Sequence, residues 1–375
     1  MKKASLRIVS AILMAVMLLG LAACGSTATP TATTPSTSTS TSTSTSTSTS
    51  SSASTEASAP AAEDKDLGDY TFVFGSVGND TEAGFRAVNI LREYLEENTD
   101  GHISTQAFPN SALGGDREMV EAVQMGQQTM VASSLGNVSN FLPELSAMDL
   151  PFAFSDRASV EALFEDEEFY QYLKDELATV NFYLAGVTFQ GFRTLSSNIK
   201  VESLADMKGL KIRVMENPTP IALWNALGAN PTPIAYAELY TALQQGVVDA
   251  QENPISLDYS AKFYEQQKYI VNTNHQAQII LWLADLNWYN SLPDEYKAVF
   301  DEGCKKLVAY HNGECDAEEV KFLQEFQDYG CEYIELSDEA RDEIRETAMT
   351  IWPMLQESAP DFYAHYVAAL ERSQK

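Results

Sequence analysis

From residue 63 onward the chain switches repeatedly between a strand period and a helix period, and this alternation restricts the fold more than any other feature. Residues 70–75 read Tyr-Thr-Phe-Val-Phe-Gly, a β-rich run, and residues 82–97 carry Phe85, Val88, Leu91 and Leu95 at helical spacing. Residues 102–108 read as a second short strand. Asp116 precedes a helix carrying Met119, Val120 and Val123, with Gly126 placed to end it, and residues 129–132 return to strand. A second block starts near Gly191. Within residues 210–214, Leu210, Ile212 and Val214 fall on one face and Lys211 and Arg213 on the other. Pro233 stands ahead of a helix over 235–245, closed by Gly246. A short strand is expected at 247–250, broken by Gln251-Glu252-Asn253-Pro254. Residues 293–329 read as mostly helical and 331–336 as a strand; Ser337 caps the next helix, and Pro353 kinks or divides the last one. Repeated βα alternation implies a largely parallel sheet covered by helices. At 375 residues the chain is long enough for two cores, so the class is α/β with two lobes.

The segment ahead of residue 63 has a different composition. Lys2, Lys3 and Arg7 precede an apolar run over residues 8–23, interrupted only by Ser10 and Gly20. Such a run would span about 24 Å, short of a hydrocarbon core of about 30 Å. With its basic start and small residues at its end, 1–23 reads as a signal peptide rather than a membrane-spanning helix. Its last residues, Leu21-Ala22-Ala23-Cys24, resemble the lipobox of bacterial lipoproteins. That resemblance implies cleavage before Cys24 and a diacylglycerol on its sulfur; an ordinary secretory signal beside a chance cysteine is the alternative. Two acyl chains hold a protein to a membrane where one holds only marginally. Residues 26–62 are Ser, Thr, Ala or Pro throughout, except Glu56. With no large apolar side chain to offset its ordering entropy, 24–62 is expected to be a disordered leash reaching about 35 Å.

Charge narrows the function classes. The 24 basic and 53 acidic residues give a formal net charge of −29, which argues against nucleic acid as a partner. Removing 1–23 takes away three basic and no acidic residues and leaves 21 against 53, a balance of −32. Acidic runs such as Glu165-Asp166-Glu167-Glu168 sit on helical patterns and read as solvated faces, since no calcium-loop spacing accompanies them. Four cysteines are too few for a disulfide-built scaffold.

The stretch from Asp206-Met207-Lys208-Gly209-Leu210-Lys211-Ile212-Arg213-Val214, through Leu227-Gly228-Ala229-Asn230-Pro231-Thr232-Pro233, to Glu238-Leu239-Tyr240-Thr241-Ala242-Leu243-Gln244-Gln245-Gly246-Val247-Val248-Asp249 and Gln251-Glu252-Asn253-Pro254 resembles the solute-binding proteins of TRAP transporters, the DctP type. Leu113-Gly114-Gly115-Asp116-Arg117-Glu118, Gly191-Phe192-Arg193 and Thr273-Asn274-His275 extend the likeness, which covers essentially all of 65–375. The resemblance implies a periplasmic-binding-protein-like fold, with two lobes joined by crossing strands and a long helix. Lobe I would comprise 65–190 plus about 279–318, and lobe II 191–278 plus about 319–375. One organic acid would close between them for delivery to the membrane subunits of an ion-driven secondary transporter. No cofactor, metal or catalytic residue is implied, and a monomer is expected.

By position the resemblance makes Arg213 the main carboxylate clamp, Arg193 a second cationic contact, Asn253 a polar contact and Tyr236 an aromatic wall. An arginine fork matches a carboxylate with two parallel charge-assisted hydrogen bonds. Other readings remain open: Arg213 exposed on an edge strand, Arg193 in a salt bridge, Tyr236 in the core, Asn253 as a turn former. The chain has Ala250 where the family usually has Gly, so no strongly positive φ is expected there. Glu216, three residues after Arg213, would repel a second acid group if it faces the solute, or else points outward. Ser133 and Ser134 are weak candidates for pocket hydroxyls. These features imply a solute that is either a monocarboxylate rich in hydroxyls or carries a cationic group; a sugar acid such as a uronate is favoured, with a C4-dicarboxylate second.

Enzyme signatures are poor. No Gly-x-Ser-x-Gly, Walker loop, Gly-x-Gly-x-x-Gly or His-Glu-x-x-His occurs, and Ser197-Asn198-Ile199-Lys200 lacks the partners of a Ser-x-x-Lys enzyme. Cys304, His311 and Cys315 share one helical face, but the outer pair would lie about 16 Å apart, so core packing is expected; Cys331 could pair with either cysteine. A secreted two-lobed hydrolase using Glu216 and Glu252, and a receptor serving a membrane sensor, are the contrasting functions.

Overall fold

The computed structural model describes residues 67–373; the signal segment 1–23, Cys24 and the linker to residue 62 lie outside them. In chain order, β1 (Tyr70–Gly75), α1 (Ala83–Asn98), β2 (Ile103–Phe108), α2 (Asp116–Gln124) and β3 (Met130–Ser134) form the expected βα series. The short helix α3 (Leu135–Val138) and the pair α4 (Arg157–Glu165) and α5 (Glu167–Ala178) lead into the 16-residue strand β4 (Phe182–Ser197). A second βα series follows: β5 (Lys211–Val214), α6 (Pro218–Ala226), β6 (Asn230–Pro233), α7 (Tyr236–Gln244), β7 (Ala250–Asn253) and α8 (Ile255–Ser260). The 17-residue β8 (Tyr269–Asp285) then runs back, followed by α9 (Leu286–Ser291), the 36-residue α10 (Asp294–Tyr329) and β9 (Glu332–Ile334). The chain ends in α11 (Asp338–Ala348), α12 (Trp352–Ser358) and α13 (Pro360–Ser373).

The strands form one sheet in the order β2-β1-β3-β8-β4-β7-β5-β6, with β9 added to β8. Pairing is parallel within each βα series and antiparallel where β4 and β8 meet each other, β3 and β7. The two long strands are thus a common spine between two βα lobes. Apolar burial follows this plan. One cluster packs Phe72, Phe74, Val88 and Leu91 against Phe300 and Leu307 of α10 on the first series. Another packs Phe322 and Phe326, near the other end of α10, against Ile255 and Ile270. At about 1.5 Å per residue α10 is about 54 Å long, enough to brace both series.

Local signals explain most element ends. Ser337 accepts from Ala340 N and opens α11, and Asp166, from the acidic run, accepts from Phe169 N at the start of α5. Pro353 stands in the first turn of α12, so the last helical stretch is divided, as its ring requires. Cys304, His311 and Cys315 are all buried on α10 among core side chains, and all three described cysteines are free, including Cys331.

One expected strand is displaced. Gln251, Glu252 and Asn253, expected to break a strand at 247–250, instead join Ala250 to form strand β7, wholly buried, while Val247 is exposed. Gln251, Glu252 and Asn253 are stable in the sheet interior because each is hydrogen-bonded there: Gln251 donates to Asp258, Glu252 accepts from Arg193, and Asn253 donates to Gln251. Ala250 takes no positive φ, in keeping with its side chain.

Candidate ligand-binding cleft

A cavity of about 320 Å³ opens between the two βα series, lined by the ends of β3, β5 and β7, the loop after β1, the middle of β4 and β8, and the first turns of α2 and α7. Arg213 projects into it from β5. This strand lies inside the sheet, between β7 and β6, which rules out an edge position. Ile212 and Val214 are taken up by the core, so strand alternation turns Arg213 the other way, into the cleft. Its side chain is only 3% exposed. Nε donates to Ile234 O at 2.8 Å, while the two terminal nitrogens have no partner among the described residues. Burial draws its pKa down to about 10, so the group remains charged at neutral pH.

Arg193 also lines the cleft, but in a different electrical state. It follows an irregularity in β4, where the register slips between Phe189 and Phe192 and Gly191 takes a φ of +120°. That bulge re-aims the strand and carries Gln190 and Arg193 to the cavity wall. Arg193 donates from Nε to Glu252 Oε2 at 2.5 Å and from Nη2 to Glu252 Oε1 at 2.8 Å. Its other bonds reach Gln278 Oε1 at 2.5 Å and Asn253 Oδ1 at 2.9 Å. His275 Nε2 lies 3.1 Å from Glu252 Oε2. Burial alone would raise the Glu252 pKa, but the charge of Arg193 and the hydrogen bonds from His275 and Arg193 hold it down at about 2. Arg193 is therefore a neutralised, fully tethered guanidinium, and the salt-bridge reading of this residue describes its geometry.

The remaining sequence candidates also reach this cavity. Asn253 is held between Arg193 and Gln251 Oε1, the latter at 2.6 Å, rather than shaping a free turn. Tyr236 opens α7, half-buried, with its ring edge-on to Phe263 and its hydroxyl donating to Leu257 O at 3.4 Å. Ser134 ends β3 and accepts from Asn137 N at 3.4 Å, capping α3. Glu216 is exposed at the rim, so it both lines the cleft and meets solvent.

Sequence reasoning missed several wall residues. Asp116 read only as a helix start, yet its carboxylate accepts from Ser133 Oγ and faces the cavity; burial pushes its pKa to about 6. Glu82, just before α1, reaches about 7 for the same reason. Trp282 and His311 line the deep end, with burial lowering His311 to about 3. For the acids, an Asp or Glu at a helix start in a βα loop was the available signal. Trp282 and His311 sit inside long buried elements and carried none.

With this geometry in view, comparison with known proteins gives a consistent result. Residues 74–358 match the DctP family, described as bacterial extracellular solute-binding protein, family 7. This chain belongs to that family. A solute-binding protein of Verminephrobacter eiseniae is 36% identical over 256 residues, 68% of this chain and 76% of that one. The C4-dicarboxylate-binding periplasmic protein DctP of Vibrio cholerae is 30% identical over 84% of this chain and 94% of its own. In three dimensions, the sugar acid binding protein DctPAm of Advenella mimigardefordensis, in complex with galactonate, superposes with a TM-score of 0.79 at 26% identity, covering 82% of this chain and all of the other. The DctP-type protein described here is thus a TRAP-type extracytoplasmic receptor for organic acids and not an enzyme. Among the described residues no helix is long and apolar enough to cross a membrane. Glu252, a candidate acid for a hydrolase, is instead the counter-ion of Arg193.

Proposed function

We propose that this DctP-type receptor captures a monocarboxylate sugar acid, an aldonate or uronate, and hands it to TRAP membrane subunits. The observation that carries this reading is the unequal state of the two buried arginines. Arg213 has an open fork, whereas the charge of Arg193 is already taken by Glu252. One buried cation with an open fork suits one carboxylate. Arg117 also reaches the rim, but it is exposed and stands between Asp116 and Glu118. Arg213 clamps the carboxylate; Arg193 and Asn253 offer fixed polar contacts to the hydroxyls; Tyr236 walls the sugar; Ser134 and Glu216 complete the rim. Charge-assisted bonds contribute about 1.5–3 kcal/mol each, and micromolar binding needs about 8 kcal/mol, so hydroxyl contacts must supply the rest. The lobes would divide at 190/191, 278/279 and 318/319, inside β4, β8 and α10, so that closure bends those three elements. The receptor acts as a monomer held to the outer face of the membrane through diacylated Cys24.

The test is a thermal-shift panel of aldonates, uronates, succinate, malate and neutral sugars. A ligand at a hundredfold its Kd adds about 2.7 kcal/mol to the folded state. The expected outcome is a shift by sugar acids that Arg213→Ala abolishes, its affinity falling at least about a hundredfold. A shift by succinate or malate alone would replace the sugar acid with a dicarboxylate. No shift by any acid, before or after refolding from denaturant, would overturn the reading. For the anchor, Cys24→Ala should move the protein from the membrane fraction to the soluble one and abolish labelling by an alkynyl fatty acid; retention on the membrane would refute it.

A further inference from the structure

The cleft is lined by a further acid, Glu82, that none of the expected contacts uses. We propose that Glu82 is a specificity-determining residue: its free carboxyl oxygen receives a hydroxyl at the end of the ligand remote from Arg213 and rejects a carboxylate there. The inference rests on Arg213 as the clamp of a sugar acid.

Glu82 lines the same cavity as Arg213. Its Oε1 accepts from Asn79 N at 3.3 Å, its Oε2 has no partner among the described residues, and the carboxyl fills the space a side chain on Gly78 would need. Glu82 reaches the cavity from the first βα series and Arg213 from the second. Asp116 feels Arg213, whereas the side-chain charges acting on Glu82 are those of Glu318 and Asp116, both negative. Glu318 is itself paired with Arg86, which leaves no cation free among the described residues at this end for Glu82 or for a ligand carboxylate. Arg86 of α10's neighbour α1 is committed to Glu314 and Glu318 at 2.8 and 2.7 Å, and to Tyr310 and Thr81 O. His311 is buried and uncharged, Trp282 is neutral, and the Tyr236 phenol on α7 stays protonated. A second carboxylate would therefore meet acids with no cation to pair with, while a hydroxyl can donate to Glu82. Because burial raises Glu82 to about 7, its repulsion is present above that pH and fades below it.

The experiment is calorimetric titration of the whole receptor with matched aldonate and aldarate pairs, gluconate with glucarate and galactonate with galactarate, which differ by a terminal hydroxymethyl or carboxylate. At about pH 8 the wild type should favour the aldonate about tenfold or more, and Glu82→Gln, which keeps an oxygen for Asn79 N–H, should erase most of that preference. Asp80→Asn, an exposed acid outside the cavity, should leave it intact. Lowering the pH to about 5, which also protonates much of Asp116, should shrink the ratio more in the wild type than in Glu82→Gln; the wild-type half of this arm needs no variant to fold. Tight aldonate binding with a ratio indifferent to both Glu82→Gln and pH would overturn the inference and leave the sugar acid reading standing. Binding of succinate with neither sugar acid would bring down both.

Discussion

Arg193 and Arg213 are the same side chain on two strands of one sheet, β4 and β5, separated by β7, yet their surroundings give them different work. Arg193 is 1% exposed and its counter-ion Glu252 is fully buried, so the pair contributes little net charge to the cleft. Its value is positional, because the same guanidinium fixes Gln278 and Asn253 at the cavity wall. Removing one partner of a buried pair leaves the other charge stranded, which costs about 3–5 kcal/mol. Glu252→Gln should therefore lower the unfolding free energy measured in urea by that amount, and the midpoint with it, with the Arg213 side chain still in place. An unchanged midpoint would mean that Arg193 finds another counter-ion or water. Arg213, in contrast, has only one backbone partner, and Arg213→Ala should affect binding more than folding.

At the scale of elements, α10 is the brace that both lobes share, and its glycines allow a test by opposite signs. Gly330 follows the helix with φ +113°, a left-handed conformation that ends it, with open space where a side chain would project. Gly330→Ala should destabilise by about 1–2 kcal/mol through backbone strain alone. Gly313 lies within the same helix, also with nothing where a Cβ would sit. Gly313→Ala should stabilise by about 0.5–1 kcal/mol, since glycine costs that much in a helix interior. Melting both variants beside the wild type checks the pair, and shifts of the same sign would contradict the helix end placed at Tyr329.

For the whole molecule, the acidity of the chain and the burial of particular carboxyls act in one direction. Burial pushes Asp116 and Asp149 to about 6, Glu82 to about 7 and Asp258 well above the usual carboxylate range. Each binds its proton more tightly folded than unfolded, so stability is gained as pH falls through these values toward the ordinary carboxyl range. Self-repulsion from a formal charge of −29 also declines over that interval. Glu252 has the opposite sign. Held at about 2, it stabilises above the ordinary carboxyl pKa, and that contribution is lost as pH falls toward 2. The ligand-free receptor should therefore melt at a higher temperature at about pH 5 than at about pH 8, and lose stability again below about pH 4. Calorimetric scans across that range test this; a midpoint that falls steadily from pH 8 to 5 would contradict it.

Local chemistry made the α/β class, the βα series and the helix ends legible, because periodicity, Ser337, Asp166 and Pro353 act within a few residues of themselves. The strand pattern at 210–214 likewise turned Arg213 away from the core, although it could not say that a cleft rather than solvent lay on that side. Polar strand β7 was illegible for a physical reason. Gln251, Glu252 and Asn253 are tolerated inside the sheet largely through partners 7 to 60 residues away, such as Asp258 and Arg193. The same holds for Trp282 and His311, which reach the cavity from long elements whose local pattern is that of ordinary core. Sequence thus determined most of the strands and helices, β7 excepted, and which arginines were available. Tertiary structure alone decided which arginine kept its charge unspent, since that depends on where Glu252 comes to rest.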